Sequence, residues 1–123
     1  METGLIFRVA TALLAIAFVS GLAMAGIRFG SDRPSPAWLA KLHGFAAVAA
    51  LTLLAFGWVN LTVSSAASFG LVALLVAAAI GLFLNLAYHG RRKPLPEGLV
   101  FAHMAIAFVG CLVVGMVLLS LPA

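Results

Sequence analysis

Two histidines stand at matching points of an otherwise apolar chain. The segment PSPAWLAKLHG, residues 34–44, carries His43, and the segment PLPEGLVFAHM, residues 94–104, carries His103. In each, the histidine follows the second proline by seven residues. An imidazole in such a setting can donate a hydrogen bond, relay a proton, or ligate a metal through a neutral ring nitrogen. Ionisable side chains inside a bilayer are costly and almost always face the protein interior or a cavity, which makes them site candidates. One such histidine is most simply a structural hydrogen bonder. A pair repeated at an interval of sixty residues calls for a further reason.

The elements that position these histidines are read from hydropathy. The chain has 123 residues, 65% of them apolar and 8% charged. A soluble domain carries about 25% charged residues. Four apolar runs approach the ~20 residues needed to span a bilayer. They cover about residues 9–27, 37–59, 69–88 and 98–121. Trp38 and Trp58 bracket the second run at an interval of 20 residues, about 30 Å at helical rise, so they sit at the two interfacial levels where aromatic belts form. LAMAG, residues 22–26, has the look of a signal-peptidase site after Ala25. Cleavage is not expected, because it would destroy the internal match described below. The expectation is an all-α membrane protein in a single domain: a four-transmembrane-helix, up-down-up-down bundle built from two repeated helical hairpins.

The net charge of +4 does not point to nucleic acid, because the basic residues are not spread over a surface. Arg28, Arg33 and Lys41 lie in or beside the first connection, and Arg91, Arg92 and Lys93 lie in the third. The second connection, NLTVSSAAS, and the C-terminal SLPA carry no charge. By the positive-inside rule, the basic connections are cytoplasmic and both termini face outward, in a bacterial-type cytoplasmic membrane. Orientation and headgroup contact account for these charges without a site. Cys111 is the only cysteine, so no internal disulfide can form; its apolar run makes it a small lipid- or core-facing residue.

Sliding the chain by sixty residues matches Gly21 with Gly81, Gly30 with Gly90, Arg33 with Lys93, Pro34 with Pro94, Pro36 with Pro96, Leu39 with Leu99 and His43 with His103. Pro36 and Pro96 suit helix starts, where a missing N–H costs nothing. His43 and His103 then fall roughly 8–10 Å below the cytoplasmic interface, counted at ~1.5 Å per residue. Gly21 and Gly81, counted back from the ends of the antiparallel spans, fall at the same depth. Ala17, Ala25 and Ala77–Ala79 keep those neighbourhoods small. Glycine is common at membrane helix contacts, and it also removes bulk where something flat approaches the backbone.

Two imidazoles and two glycines at one depth suit a planar macrocycle with iron at its centre, with His43 and His103 as axial ligands. Zinc or copper alone would need three or four donors, and no third ligand falls at that depth. A haem's propionates would find Arg28, Arg33 and Lys41, or Arg91, Arg92 and Lys93, at the cytoplasmic face, since arginine pairs well with carboxylates.

The order Gly, His, Gly, His on four successive helices resembles the haem-binding four-helix core of cytochrome b in the cytochrome bc and related complexes. The resemblance implies that Gly21 and Gly81 let haem approach and that His43 and His103 ligate it. That family holds a second haem on a further His pair about two heptads along the same helices. The corresponding positions here are near Phe56 or Gly57 and near Met116 or Val117, so the resemblance implies one haem b only. His89, in YHGRRK, reads as a cation at a helix C-terminus, or as a proton relay beside a quinone.

Three functions compete. The first is a one-haem membrane cytochrome relaying single electrons to or from quinone or a partner redox subunit, as no flavin or nicotinamide domain is present. The second is a cofactor-free accessory subunit of a larger membrane complex, with a variant in which each histidine holds a chlorophyll-type pigment; the partners expected are another membrane or redox subunit or, in a homo-oligomer, a second copy of the chain. The third is a small multidrug exporter, which relies on an acidic residue buried in its first span. Here the three acids, Glu2, Asp32 and Glu97, all sit at span ends.

Overall fold

The computed structural model describes residues 2–122. Four α-helices follow in order: α1 over Thr3–Ser31, α2 over Ala37–Asn60, α3 over Ser65–Ala87 and α4 over Glu97–Ser120. A single 3-10 turn, His89–Arg91, follows α3. No strand occurs among the described residues. Each helix is long and apolar enough to cross a membrane, which is compatible with a multi-pass membrane protein. Large apolar side chains are exposed along all four, among them Val19, Phe45, Val72 and Phe101. In water that surface would be a liability; against hydrocarbon it is the solvated face. Trp38 and Trp58 are both exposed at opposite ends of α2, as an interfacial pair requires.

The helix ends follow from local chemistry. Arg33 and Lys93 each precede a proline, which disfavours helical backbone, so residues 33–36 and 93–96 run as irregular connections. Just before them, Asp32 and Arg92, sixty residues apart, both take left-handed backbone with φ of 53° and 54°. The prolines sit one residue earlier than a first-turn position: Pro36 and Pro96 are the N-cap residues of α2 and α4. Their carbonyls accept the first helical N–H groups, from Ala40 and Val100. Helix α1 starts six residues before the expected span, because residues 3–8 contain no proline and Arg8 is exposed. Helix α3 also starts early, at a Ser64 cap whose Oγ accepts the Ala67 N–H at 3.1 Å. Ser64→Ala should cost about 1 kcal/mol, read as a lower midpoint in detergent unfolding; Ser64→Asp should keep the cap.

The chain divides into two compact units, residues 1–61 and 62–123. Helix α1 packs along α2 in the first, and α3 along α4 in the second. Both pairs are antiparallel. In the first, Ile6 meets Gly57 and Gly21 meets His43; in the second, Gly70 meets Val114 and Gly81 meets His103. Ser35 Oγ reaches back from the connection to donate to the Met24 carbonyl at 3.2 Å. Since hydrocarbon supplies no hydrophobic drive between helices, association depends on close packing of small residues. The seams are made that way. Ala10, Ala17, Ala46, Ala50 and Gly57 are buried in the first unit, and Ala67, Gly70, Ala77 and Gly110 in the second.

Candidate functional site

His43 lies on the second turn of α2, with its ring directed at α1. Its Nδ1 is 2.7 Å from the Ala17 carbonyl oxygen. His103 makes the same contact in the second unit, with Nδ1 2.7 Å from the Ala77 carbonyl oxygen. A carbonyl oxygen only accepts, so the ring nitrogen is the donor. Each imidazole therefore carries a proton on Nδ1; where the ring is neutral, its lone pair is on Nε2. Both side chains are half-buried.

The glycines expected at this depth are there, and each faces the histidine of its own hairpin. A Cβ built on Gly21 would lie 2.9 Å from His43 Cε1 and 3.1 Å from Nδ1. A Cβ built on Gly81 would lie 2.9 Å from His103 Cε1 and 3.2 Å from Nδ1. This differs from the expectation that glycine keeps room for a macrocycle. The room is filled by the imidazole itself, because the ring must come this close to reach the carbonyl one turn back.

What sequence reasoning missed is the acceptor. Ala17 and Ala77 were read as small neighbours, yet their backbone carbonyls orient the two rings. Every residue has a carbonyl, so none stands out in a sequence. The available signal was Ala four residues before Gly on the helix facing each histidine: Ala17 with Gly21, and Ala77 with Gly81. Ser20 is a second omission. It is the buried polar residue of the first unit, and its Oγ lies 2.7 Å from the Ile16 carbonyl and 3.0 Å from the Ala17 carbonyl. The corresponding position in the second unit is Ile80, so the Ala77 carbonyl has no such neighbour.

The basic residues occupy the connections as expected. Arg28 is on the last turn of α1 and pairs with Asp32 at 3.1 Å. Arg33, Lys41, Arg91, Arg92 and Lys93 are exposed. His89 belongs to the 3-10 turn, where its carbonyl accepts the Arg92 N–H. A groove of about 450 Å³ runs along the first hairpin, walled by Ile16, Val19, Ala23, Trp38 and Leu42, with the Ser20 hydroxyl and the Trp38 indole N–H as its polar groups. The Ser20 proton is directed at backbone carbonyls, so the lining is hydrocarbon but for the indole N–H of Trp38. Among the described residues, no group of three or more His, Cys, Asp or Glu side chains could hold a metal ion.

Compared with known proteins, the chain matches no family model, no curated protein and no solved structure.

Proposed function

We propose that this protein is a membrane cytochrome of the b type, holding one haem b with His43 and His103 as axial ligands and relaying single electrons to or from quinone or a partner redox subunit. The observation that carries the reading is the Nδ1–H bond from each histidine to a backbone carbonyl. Metal-ligating histidines almost always donate the other ring N–H to a carbonyl, carboxylate or water, which fixes the tautomer and raises the basicity of the ligating nitrogen. The donor set suits haem: two imidazoles would be enough to hold its iron, whereas a bare zinc or copper ion wants three or four protein donors.

Haem, when bound, supplies reversible one-electron exchange at iron, with a potential set by ligand identity, burial and hydrogen bonding. The chain's own residues do the rest. His43 and His103 hold their imidazoles at fixed orientation in a span. Arg28, Arg33, Lys41, Arg91, Arg92 and Lys93 offer positive charge to carboxylates at the span ends. The Arg28–Asp32 pair is exposed on its acid side, so it is weak and open to exchange. With those residues on the cytoplasmic side of a bacterial-type membrane, both termini lie outside.

A second reading rests on the same contacts. Each His–carbonyl bond ties two helices together, at about 0.6–2 kcal/mol in membrane bundles. A cofactor-free accessory subunit could use the histidines for that alone. The visible spectrum of detergent-purified protein, expressed with ample haem, decides between them. A Soret band that shifts on dithionite reduction, with a sharp α band and a pyridine extract identifying haem b, is the expected result. A colourless protein overturns the cytochrome reading and leaves the structural one. A magnesium tetrapyrrole in the extract would mean a pigment carrier.

A further inference from the structure

We infer that Gly21 and Gly81 are positioning residues: each uncovers a backbone carbonyl one turn earlier in its helix and so fixes the opposing histidine as the Nδ1–H tautomer. The use of that tautomer in ligation rests on the haem reading above; the tautomer itself does not.

The argument begins with helix geometry. A helical side chain leans toward the N-terminus and covers the turn before its own Cα. The side chain at position 21 would therefore lie over the carbonyl of residue 17, and that at position 81 over the carbonyl of residue 77. A carbonyl inside a helix already accepts the N–H four residues on. A second donor can approach it only from the side, across the space that this side chain would fill. With glycine there, the His43 and His103 rings enter and reach 2.7 Å. Any Cβ would stand 2.9 Å from ring Cε1, too close for carbon against carbon, so the ring would have to withdraw. The ring's other nitrogen cannot restore the bond without turning the imidazole over.

The same three-part unit, Ala carbonyl, Gly, His, occurs in both hairpins with the same distances. Hydrogen-bond need alone does not explain this precision, since other ring rotations would serve an interhelical tie. What the unit secures is direction: the proton toward the helix and the lone pair on Nε2 in both rings. An outer bond of this kind is worth about 10- to 100-fold in metal affinity at known sites.

The test is long-range ¹H–¹⁵N correlation of the imidazoles in labelled, haem-free, full-length protein in micelles, with His89→Gln removing the third ring. In their neutral form, both remaining rings should show protonated Nδ1 and unprotonated Nε2. Gly21→Ala should convert the His43 ring alone, and Gly81→Ala the His103 ring alone. Gly26→Ala and Gly115→Ala, whose added Cβ meets nothing within 4 Å, should change neither. Wild-type rings protonated on Nε2, or glycine variants with unchanged rings, overturn the inference. If the glycine variants do not fold, the wild-type tautomers still decide it. Haem titration of the same samples separates the two claims. Nδ1–H rings in a protein that takes no haem sustain the inference and sink the cytochrome reading. Nε2–H rings in a protein that does take haem do the reverse. Where both hold, either glycine variant should bind haem about 10- to 100-fold more weakly.

Discussion

His43→Ala and His103→Ala each abolish the low-spin spectrum expected of the haem-loaded protein, whereas His89→Ala leaves it intact. On the proposed haem reading, removing one imidazole would take away one of the two side chains that hold the iron. The remaining histidine alone would give a high-spin spectrum in place of the low-spin one. Haem affinity should fall by more than the 10- to 100-fold typical of losing an outer-shell partner. Each substitution also removes one interhelical bond, to the Ala17 or the Ala77 carbonyl, at about 1 kcal/mol. That loss is small enough for the protein to stay folded, so the spectrum rather than the yield carries the result. The contrast with His89 matters because His89 is the third and last histidine of the chain and lies in a turn outside the helices. Retention of a wild-type spectrum in either ligand variant would remove that residue from the site. Retention in both would end the axial-ligand assignment.

The spans were legible because hydropathy in a membrane protein is a property of whole segments. Twenty apolar residues announce a helix whatever their order. The ends were less legible, because they depend on single groups. Ser64 moved the start of α3 by accepting one N–H, and nothing in a hydropathy window registers a hydroxyl at its edge. Pro36 and Pro96 marked the starts of α2 and α4 to within one residue, since proline acts on the backbone locally and strongly. In the site, residue spacing was enough to bring Gly21 to the level of His43, and Gly81 to that of His103. Rise per residue is nearly constant, so counting works. Counting could not say what fills the space a glycine leaves. That depends on rotamer and side-chain direction, and here the occupant is the facing imidazole.

The seams of the two hairpins show the same logic at the level of volume. The first hairpin sets the large Ile6 against Gly57, which a Cβ would approach to 3.4 Å. The antiparallel register of the second puts the small Ala67 at the level of Val117, and both are buried. Large and small have changed sides while the sum is kept, which is the substitution a close-packed seam tolerates best. Further along, the hairpins differ in tightness. At the level where the first has Leu14 and Ala50, both buried, the second has Leu74 and Gly110. A Cβ on Gly110 would lie 2.7 Å from Leu74 Cγ, 2.8 Å from Cδ2 and 3.2 Å from the Leu74 backbone nitrogen.

Gly110→Leu should accordingly open the second hairpin, with a larger loss of stability than Gly110→Ala. The alanine Cβ meets Leu74 Cγ and Cδ2, which can withdraw, and comes within 3.2 Å of the Leu74 backbone nitrogen; the first hairpin shows that a leucine and an alanine can share this level. Its cost falls in the overpacking range of about 1–3 kcal/mol, at the low end. The leucine variant must also clear the α3 backbone, which cannot rotate away. Its cost should exceed that range, seen as a lower midpoint when helicity is followed against the SDS fraction in mixed micelles. Adding Leu74→Ala should rescue most of the alanine variant and less of the leucine variant, because the longer side chain still presses on the α3 backbone. A Gly110→Leu protein as stable as wild type would show that the seam is looser than these distances state. The consequence reaches the site. Gly110 lies two turns along α4 from His103, on the same face, so parting the seam draws the ring from the Ala77 carbonyl. The first hairpin is a separate compact unit with its own seam, so His43 should keep its Nδ1–H form while His103 loses it. Loss of the ordered tautomer at both histidines from this one substitution would mean that the two hairpins fold as one cooperative body, and that each imidazole is held by more than the helix it faces.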